Sequence, residues 1–244
     1  NLDSAPAVPA QTADSQPAGY RPAAVEPAVS QDLGSRAGMA SEPLPGVYSE
    51  TSTIGGLEVI GQVFDGYLVC QAPDELLLVD QHAVHERIIF ERLSSSYEKA
   101  EVEVQPLLVP VTVTVGSEGV EAVERHCRGL ARSGWQIEPF GAEEVIVRAV
   151  PALLVDTDTA SMVERTVADL ARLAAGTPMS NAVRTAMASA ACHAAVRVGR
   201  RMNRQEARAL LEDAATVDYS ATCPHGRPVA KRLGRAEVER MFGR

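Results

Sequence analysis

The chain has 244 residues, 45% of them hydrophobic, which is enough for one sizeable domain or two small ones with real cores and excludes a mini-protein. Its 23 basic against 32 acidic residues give a formal net charge of -9, which argues against a module that holds nucleic acid by bulk positive charge. The charge is uneven, however: residues 51–180 carry 20 acids and 9 bases, whereas residues 181–244 carry 6 acids and 12 bases.

Residues 1–50 contain 10 Ala and 7 Pro and no Ile, Phe or Trp, so they cannot bury enough apolar surface to offset their ordering entropy. Residues 1–53 are therefore expected to be a disordered linker, which suggests the C-terminal part of something longer. From residue 57 short apolar runs follow, over 57–64, 67–71 and 76–79, separated by Asp65-Gly66 and by Pro73-Asp74. That pattern predicts a three-stranded meander. Helical patterning predicts a helix over about 81–93. A strand interrupted by Pro106 and Pro110 is expected over 102–115, then a helix over 117–133 and a hairpin from 136–140 and 144–150. Helices are predicted over 159–175, 180–201 and 204–214, with a short one near 235–242. Strands followed by helices favour an α+β fold over a doubly wound sheet.

Four cysteines are too few for a disulfide scaffold, and a reducing compartment is expected. With no apolar run long enough for a bilayer and no signal-peptide pattern at the start, the expectation is a soluble, cytoplasmic protein without a membrane partner.

The chemistry concentrates in three segments. In Asp80-Gln81-His82-Ala83-Val84-His85-Glu86, His82 and Glu86 are four apart and share a helix face, so both can reach one metal ion. Asp80 can point at the same ion or cap the helix. Glu91 stands at i,i+4 to Arg87 and reads as its ion-pair partner. Cys192-His193 lies in the Ala-rich helix, and Cys223-Pro224-His225 lies in a Pro/Gly-bounded turn. Cys, His and carboxylate together suit zinc or a similar borderline metal rather than magnesium. The six candidate ligands Asp80, His82, Glu86, Cys192, Cys223 and His225 exceed one tetrahedral site, so two neighbouring metals sharing a carboxylate are plausible. Cys70 and Cys127 fall outside these segments and read as buried or semi-buried thiols. His193 reads as a packed or surface helix residue.

These residues carry a resemblance. Asp80-Gln81-His82-Ala83-(x)2-Glu86-(x)4-Glu91 resembles the endonuclease motif in the C-terminal domain of the MutL family of DNA mismatch-repair proteins. Ala191-Cys192-His193-Ala194-Ala195-Val196-Arg197 and Cys223-Pro224-His225-Gly226-Arg227-Pro228 resemble two further motifs of that domain, and the similarity covers about residues 54–244. The resemblance implies metal ligands at His82, Glu86, Cys192, Cys223 and His225, with Asp80 and Glu86 needed to nick one strand of duplex DNA. It implies zinc shaping the site, manganese activating it, a homodimer, MutS as a partner, and an ATPase region joined through the linker. No nucleotide-binding motif is present, so no nucleotide is expected on this chain.

Gln105-Pro106-Leu107-Leu108-Val109-Pro110 is similar to the peptide by which bacterial proteins dock onto the DNA sliding clamp; an ordinary edge-strand segment would look much the same. Arg227, Arg197, Arg200 and Arg201 are candidates to meet phosphate oxygens through the guanidinium fork, or are solvated helix-face charges. Residues 239–244 resemble the family's ending, near its metal site; a helix end that packs Met241 and Phe242 is the alternative. The expected architecture has two subdomains. Residues 54–108 and 180–244 would form a dimerisation subdomain with the metal site, and 109–179 an inserted external, regulatory one. The alternative function is a non-catalytic, zinc-stabilised dimerisation and docking domain.

Overall fold

The computed structural model describes residues 54–195, 201–217 and 221–244. The expected linker, Arg197 and Arg200 lie outside the described residues; the helix predicted over 180–201 already ends at Ala194, where Ala195 turns extended at ψ 151°. The fold is α+β, built on two antiparallel sheets. The first has the order β1 (Glu58–Val63), β2 (Tyr67–Ala72), β3 (Glu75–Asp80), β7 (Ala230–Gly234). The second has the order β4 (Val104–Thr114), β6 (Glu144–Pro151), β5 (Gln136–Pro139).

The predicted meander forms as β1, β2 and β3. Its first turn sits one residue earlier than Asp65-Gly66 suggests: Phe64 and Asp65 take φ of 51° and 48°, and the Gly66 amide closes on the Val63 carbonyl. Positive φ at both central residues matches the right-handed twist of the flanking strands. Glycine would meet that demand more cheaply than Phe64 does. Strand β7 has no counterpart in the sequence reading, because Ala230-Lys231-Arg232-Leu233-Gly234 is short and charged. It forms by pairing with the edge of β3, Val79 opposite Ala230 and Glu75 opposite Gly234.

Helix α1 (Gln81–Lys99) runs six residues past the expected end and closes at Ala100 in the left-handed conformation. It crosses between two hydrophobic cores. Ala83, Val84 and Ile88 pack with Leu68, Cys70, Leu77 and Val79 of the first sheet and with Leu210 and Leu211 of α5 (Arg204–Asp213). Ile89, Phe90 and Leu93 pack with Trp135, Val145 and Val147 and with α2 (Gly116–Arg132), α3 (Thr159–Ala171) and α4 (Met179–Ala194). The predicted strand over 102–115 tolerates its prolines because the register jumps: Pro106 faces Ala149 and Val111 faces Val147. The residues between bulge from the ladder, leaving Leu108 wholly exposed and Val109 75% exposed. Cys70 is buried as expected, but Cys127 is exposed, since it falls on the solvent side of α2. No described helix is long and apolar enough to cross a membrane.

The 3-10 turn Ile54–Gly56 is clamped against the end of α5, where Ile54 donates to the Val217 carbonyl. A Cβ on Gly55 would stand 2.4 Å from the Ala215 Cα, whereas one on Gly56 meets nothing within 4 Å. Gly55→Ala should therefore cost about 1–3 kcal/mol of unfolding free energy. Gly56→Ala should stay within about 0.5 kcal/mol of wild type. Equal denaturation midpoints for the two variants would show that this clamp does not constrain the fold.

Candidate metal centre

Strand β3 hands directly into α1, and Asp80 stands at the junction. Its amide donates to the Val229 carbonyl at 2.9 Å, while its Oδ1 accepts from the amides of His82 and Ala83 at 2.9 and 3.0 Å. An aspartate N-cap satisfies donors that the first helical turn leaves without partners and complements the helix dipole. The entry angle of α1 is thereby fixed, and with it the direction of His82 and Glu86, one turn apart.

Glu86 has no exposed surface. His82 Nε2 lies 3.3 Å from its Oε1, and His225 Nδ1 lies 3.9 Å from the same oxygen. Packing of α4 against α1 delivers Cys192 from the last turns of α4. Cys223 and His225 come from the turn that precedes β7, and pairing of β7 with β3 sets this turn beside Asp80. The turn is closed on itself: Cys223 N–H donates to the Arg227 carbonyl at 2.7 Å, Gly226 N–H donates to the Cys223 carbonyl at 2.8 Å, and Thr222 bridges Pro228. Gly226 takes φ 85°, a conformation that glycine adopts without steric cost. From α1, Arg87 donates to the Thr222 carbonyl at 3.1 Å and also pairs with Glu91, so Glu91 braces the turn through Arg87.

Two groups of donors result. His82, Glu86 and Cys192 form one; Glu86, Cys223 and His225 form the other; within each, the ligand atoms lie within 4.8 Å of one another. The carboxylate is common to both. Burial alone would raise the Glu86 pKa, but hydrogen bonds with His82, Cys192 and Cys223 and the charge of His82 outweigh it and hold the pKa down at about 2. Arg227 Nη2 lies 2.9 Å from both carboxylate oxygens. Two imidazoles, two thiols and a bridging carboxylate are a donor set that fits zinc.

The other candidates are placed differently. Asp80 lies outside both donor groups and acts as the helix cap. Arg227 spans the buried carboxylate rather than standing free. Arg201 is 85% exposed and pairs with Asp65 at 3.0 Å. Gln105 to Pro110 lie on the second sheet, where Gln105 Nε2 donates to the neighbouring Pro106 carbonyl. Met241 and Phe242, at the end of α6 (Arg235–Met241), are 65% and 78% exposed rather than packed.

Gln81 was not singled out by sequence reasoning, yet it is wholly buried and ties the site to its surroundings. Its Oε1 accepts from Gln62 Nε2 at 2.8 Å and its Nε2 donates to the Asp65 carbonyl at 3.2 Å; Gln62 Oε1 in turn accepts from the Met202 amide at 2.9 Å. A buried amide must be satisfied in this way. The sequence signal was its spacing, three before Val84 and seven before Ile88, which puts a polar residue on the apolar stripe.

Comparison with known proteins adds independent weight. Residues 60–202 match the family model described as MutL C terminal dimerisation domain. The DNA mismatch repair protein MutL of Anaeromyxobacter sp. strain K is 36% identical over 234 residues, which cover 93% of this chain and 39% of that protein. That of Geobacter sulfurreducens is 39% identical over 188 residues, 77% of this chain and 31% of that protein. That of Paramagnetospirillum magneticum is 38% identical over 200 residues, 82% of this chain and 33% of that protein. The chain thus spans between about a third and two fifths of the length of these relatives. On the family match and these identities, the chain belongs to the MutL family, as a C-terminal dimerisation domain.

Proposed function

We propose that this chain is the metal-dependent endonuclease and dimerisation part of a DNA mismatch repair protein, nicking one strand of duplex DNA. The observation that carries the reading is the pair of donor groups sharing buried Glu86. A purely structural zinc site is closed by four Cys or His ligands and has no need of a shared carboxylate. His82 and Cys192 would hold an ion on one side of Glu86, and Cys223 and His225 on the other. Zinc suits these donors; manganese is the activating ion that the family likeness implies. Such an ion, when bound, supplies positive charge to a phosphate oxygen and to the departing alkoxide.

The chain's own residues define what is oriented there. Oδ1 of Asp80 is engaged by the helix amides, and its Oδ2, left aside by those bonds, is the oxygen proposed to hold or orient the catalytic ion. Arg227 and Arg201, with Arg197 and Arg200, are the proposed phosphate contacts. The second reading, a non-catalytic zinc-stabilised dimerisation and docking module, draws on one specific observation: capping alone accounts for Asp80.

Dimerisation is assigned to the outer face of the first sheet. The inner face is filled by Leu68, Cys70, Leu77 and Val79, whereas Tyr67, Leu78 and Leu233 on the other face are partly exposed, as is Ile60 on β1. An apolar sheet face of this kind fits a second copy of the chain. Exposed Leu108 and Val109 support the sliding clamp as a partner for Gln105 to Pro110. MutS and the ATPase region are proposed partners of the longer protein.

Asp80→Asn keeps an oxygen for the helix cap and removes the charge. It should leave the melting temperature unchanged and lower manganese-dependent nicking of supercoiled DNA, in the presence of the clamp, by about 100-fold or more. Nicking by the variant at the wild-type rate would refute the role of Asp80, whereas no nicking by either protein would favour the docking module. Removing metal with a chelator should lower the melting temperature of wild type and leave that of Cys223→Ala almost unmoved. Leu78→Glu should convert dimer to monomer in light scattering at micromolar concentration, and an unchanged mass would place the interface elsewhere.

A further inference from the structure

Both Glu86 oxygens are engaged by one group, and it is not one of the proposed ligands: Arg227 Nη2 sits 2.9 Å from each. Glu86 is wholly buried, so its charge requires a close positive partner. The partner is held in an unusual way. The Arg227 backbone is pinned, its carbonyl accepting from Cys223 and the turn closed by the bridge between Thr222 and Pro228. The side chain, by contrast, is 48% exposed, and besides Glu86 it meets only the side chain of Cys223 among the donors. The guanidinium can therefore swing out into solvent on its own torsions while the turn that carries Cys223 and His225 stays in place.

We propose that Arg227 is the chain's own competitor for the metal centre: it neutralises Glu86 when no ion is bound and is displaced when an ion takes the carboxylate. This rests on the metal-centre reading above. Both donor groups draw on Glu86, so an ion held by either would contend with the guanidinium for the same carboxylate. Exchange also follows from charge. A divalent ion replaces the single charge of Arg227, and a guanidinium left beside that ion would be repelled by it. The displaced group stays at the rim, on the side of half-exposed His225, where an anionic phosphodiester replaces the counter-charge it has lost. Loading of the centre would thus release a phosphate-binding arginine. Arg227 acts here through Glu86 and is a positioning residue for the ion.

The test compares the whole chain with Arg227→Ala and Arg227→Lys, measuring zinc affinity by competition with a chromophoric chelator and melting temperature with and without zinc. Arg227→Ala should bind zinc about tenfold more tightly or better, with Arg227→Lys between it and wild type. It should melt below wild type in chelator, where Glu86 is left buried without its counter-charge, and at or above wild type in zinc. On a Glu86→Gln background the effect of Arg227→Ala on zinc affinity should disappear. Equal or weaker zinc binding by Arg227→Ala, or the same loss of melting temperature with and without zinc, would overturn the inference and make Arg227 a plain structural tie. Zinc binding by neither wild type nor Arg227→Ala would overturn the metal-centre reading, and the inference with it.

Discussion

A carboxylate with no exposed surface dictates the arrangement of everything near it. Glu86 lies inside the protein with its pKa held at about 2, so it is charged at neutral pH and must be compensated. Left without partners, a buried charge of this kind costs several kcal/mol. Compensation comes from three separated parts of the chain: His82 one turn earlier, Cys192 at the end of α4, and the closed turn of Cys223, His225 and Arg227. His82 meets Glu86 through the helix itself, but the other two parts reach it only when α4 packs on α1 and β7 pairs with β3. The site is therefore a consequence of the tertiary structure, and the charge at its centre penalises any arrangement that fails to bring the three parts together.

Helix α1 is the member common to both halves of this requirement. Its early residues complete the first core and its later ones the second, so the orientation of its first turn is fixed by packing on both sides. The Asp80 cap fixes where the helix begins. Buried Gln81 adds a second restraint, tying the helix to the β1–β2 turn and, through Gln62, to the chain at Met202. Ligands that must meet within fractions of an ångström gain from being mounted on a rigid element with such support. The Gln62–Gln81 pair serves that purpose without being among the donors.

What the sequence disclosed and what it withheld follow from range. The meander, α1 and the hairpin of β5 and β6 are legible because alternation, helical spacing and turn residues are local signals. The donor types were legible because His82 and Glu86 share a helix face and Cys223-Pro224-His225 is compact. Strand β7 was not, because Lys231 and Arg232 owe their strand conformation to the β3 edge and not to their own propensity. The engagement of Arg227 with Glu86 was hidden for a related reason: the two are 141 residues apart, and an arginine after a turn glycine reads equally as a free phosphate contact. Asp80 remained open between cap and ligand in the sequence, and its two short amide contacts account for the cap alone.

The uneven charge takes on a different meaning once the partners are known. Four of the basic residues in 201–235 face acids of the first sheet, its turns and α1. Arg201 pairs with Asp65, Arg227 with Glu86, Arg232 with Glu75 and Arg235 with Asp74. Each exposed pair stabilises the fold by about 1 kcal/mol or less and weakens in salt, and those of Arg232 and Arg235 flank the pairing of β7 with β3. An arginine facing a carboxylate contributes little to a neighbouring phosphate until that pair opens, so the surplus overstates the charge available to DNA. On the proposed reading, a single chain then has weak affinity for a duplex. Dimerisation and tethering to a partner already on the DNA remedy this without new contacts, because they raise the effective concentration of the site at the strand. The basic segment is in this sense first a folding device, and the approach to DNA depends on what the chain is joined to.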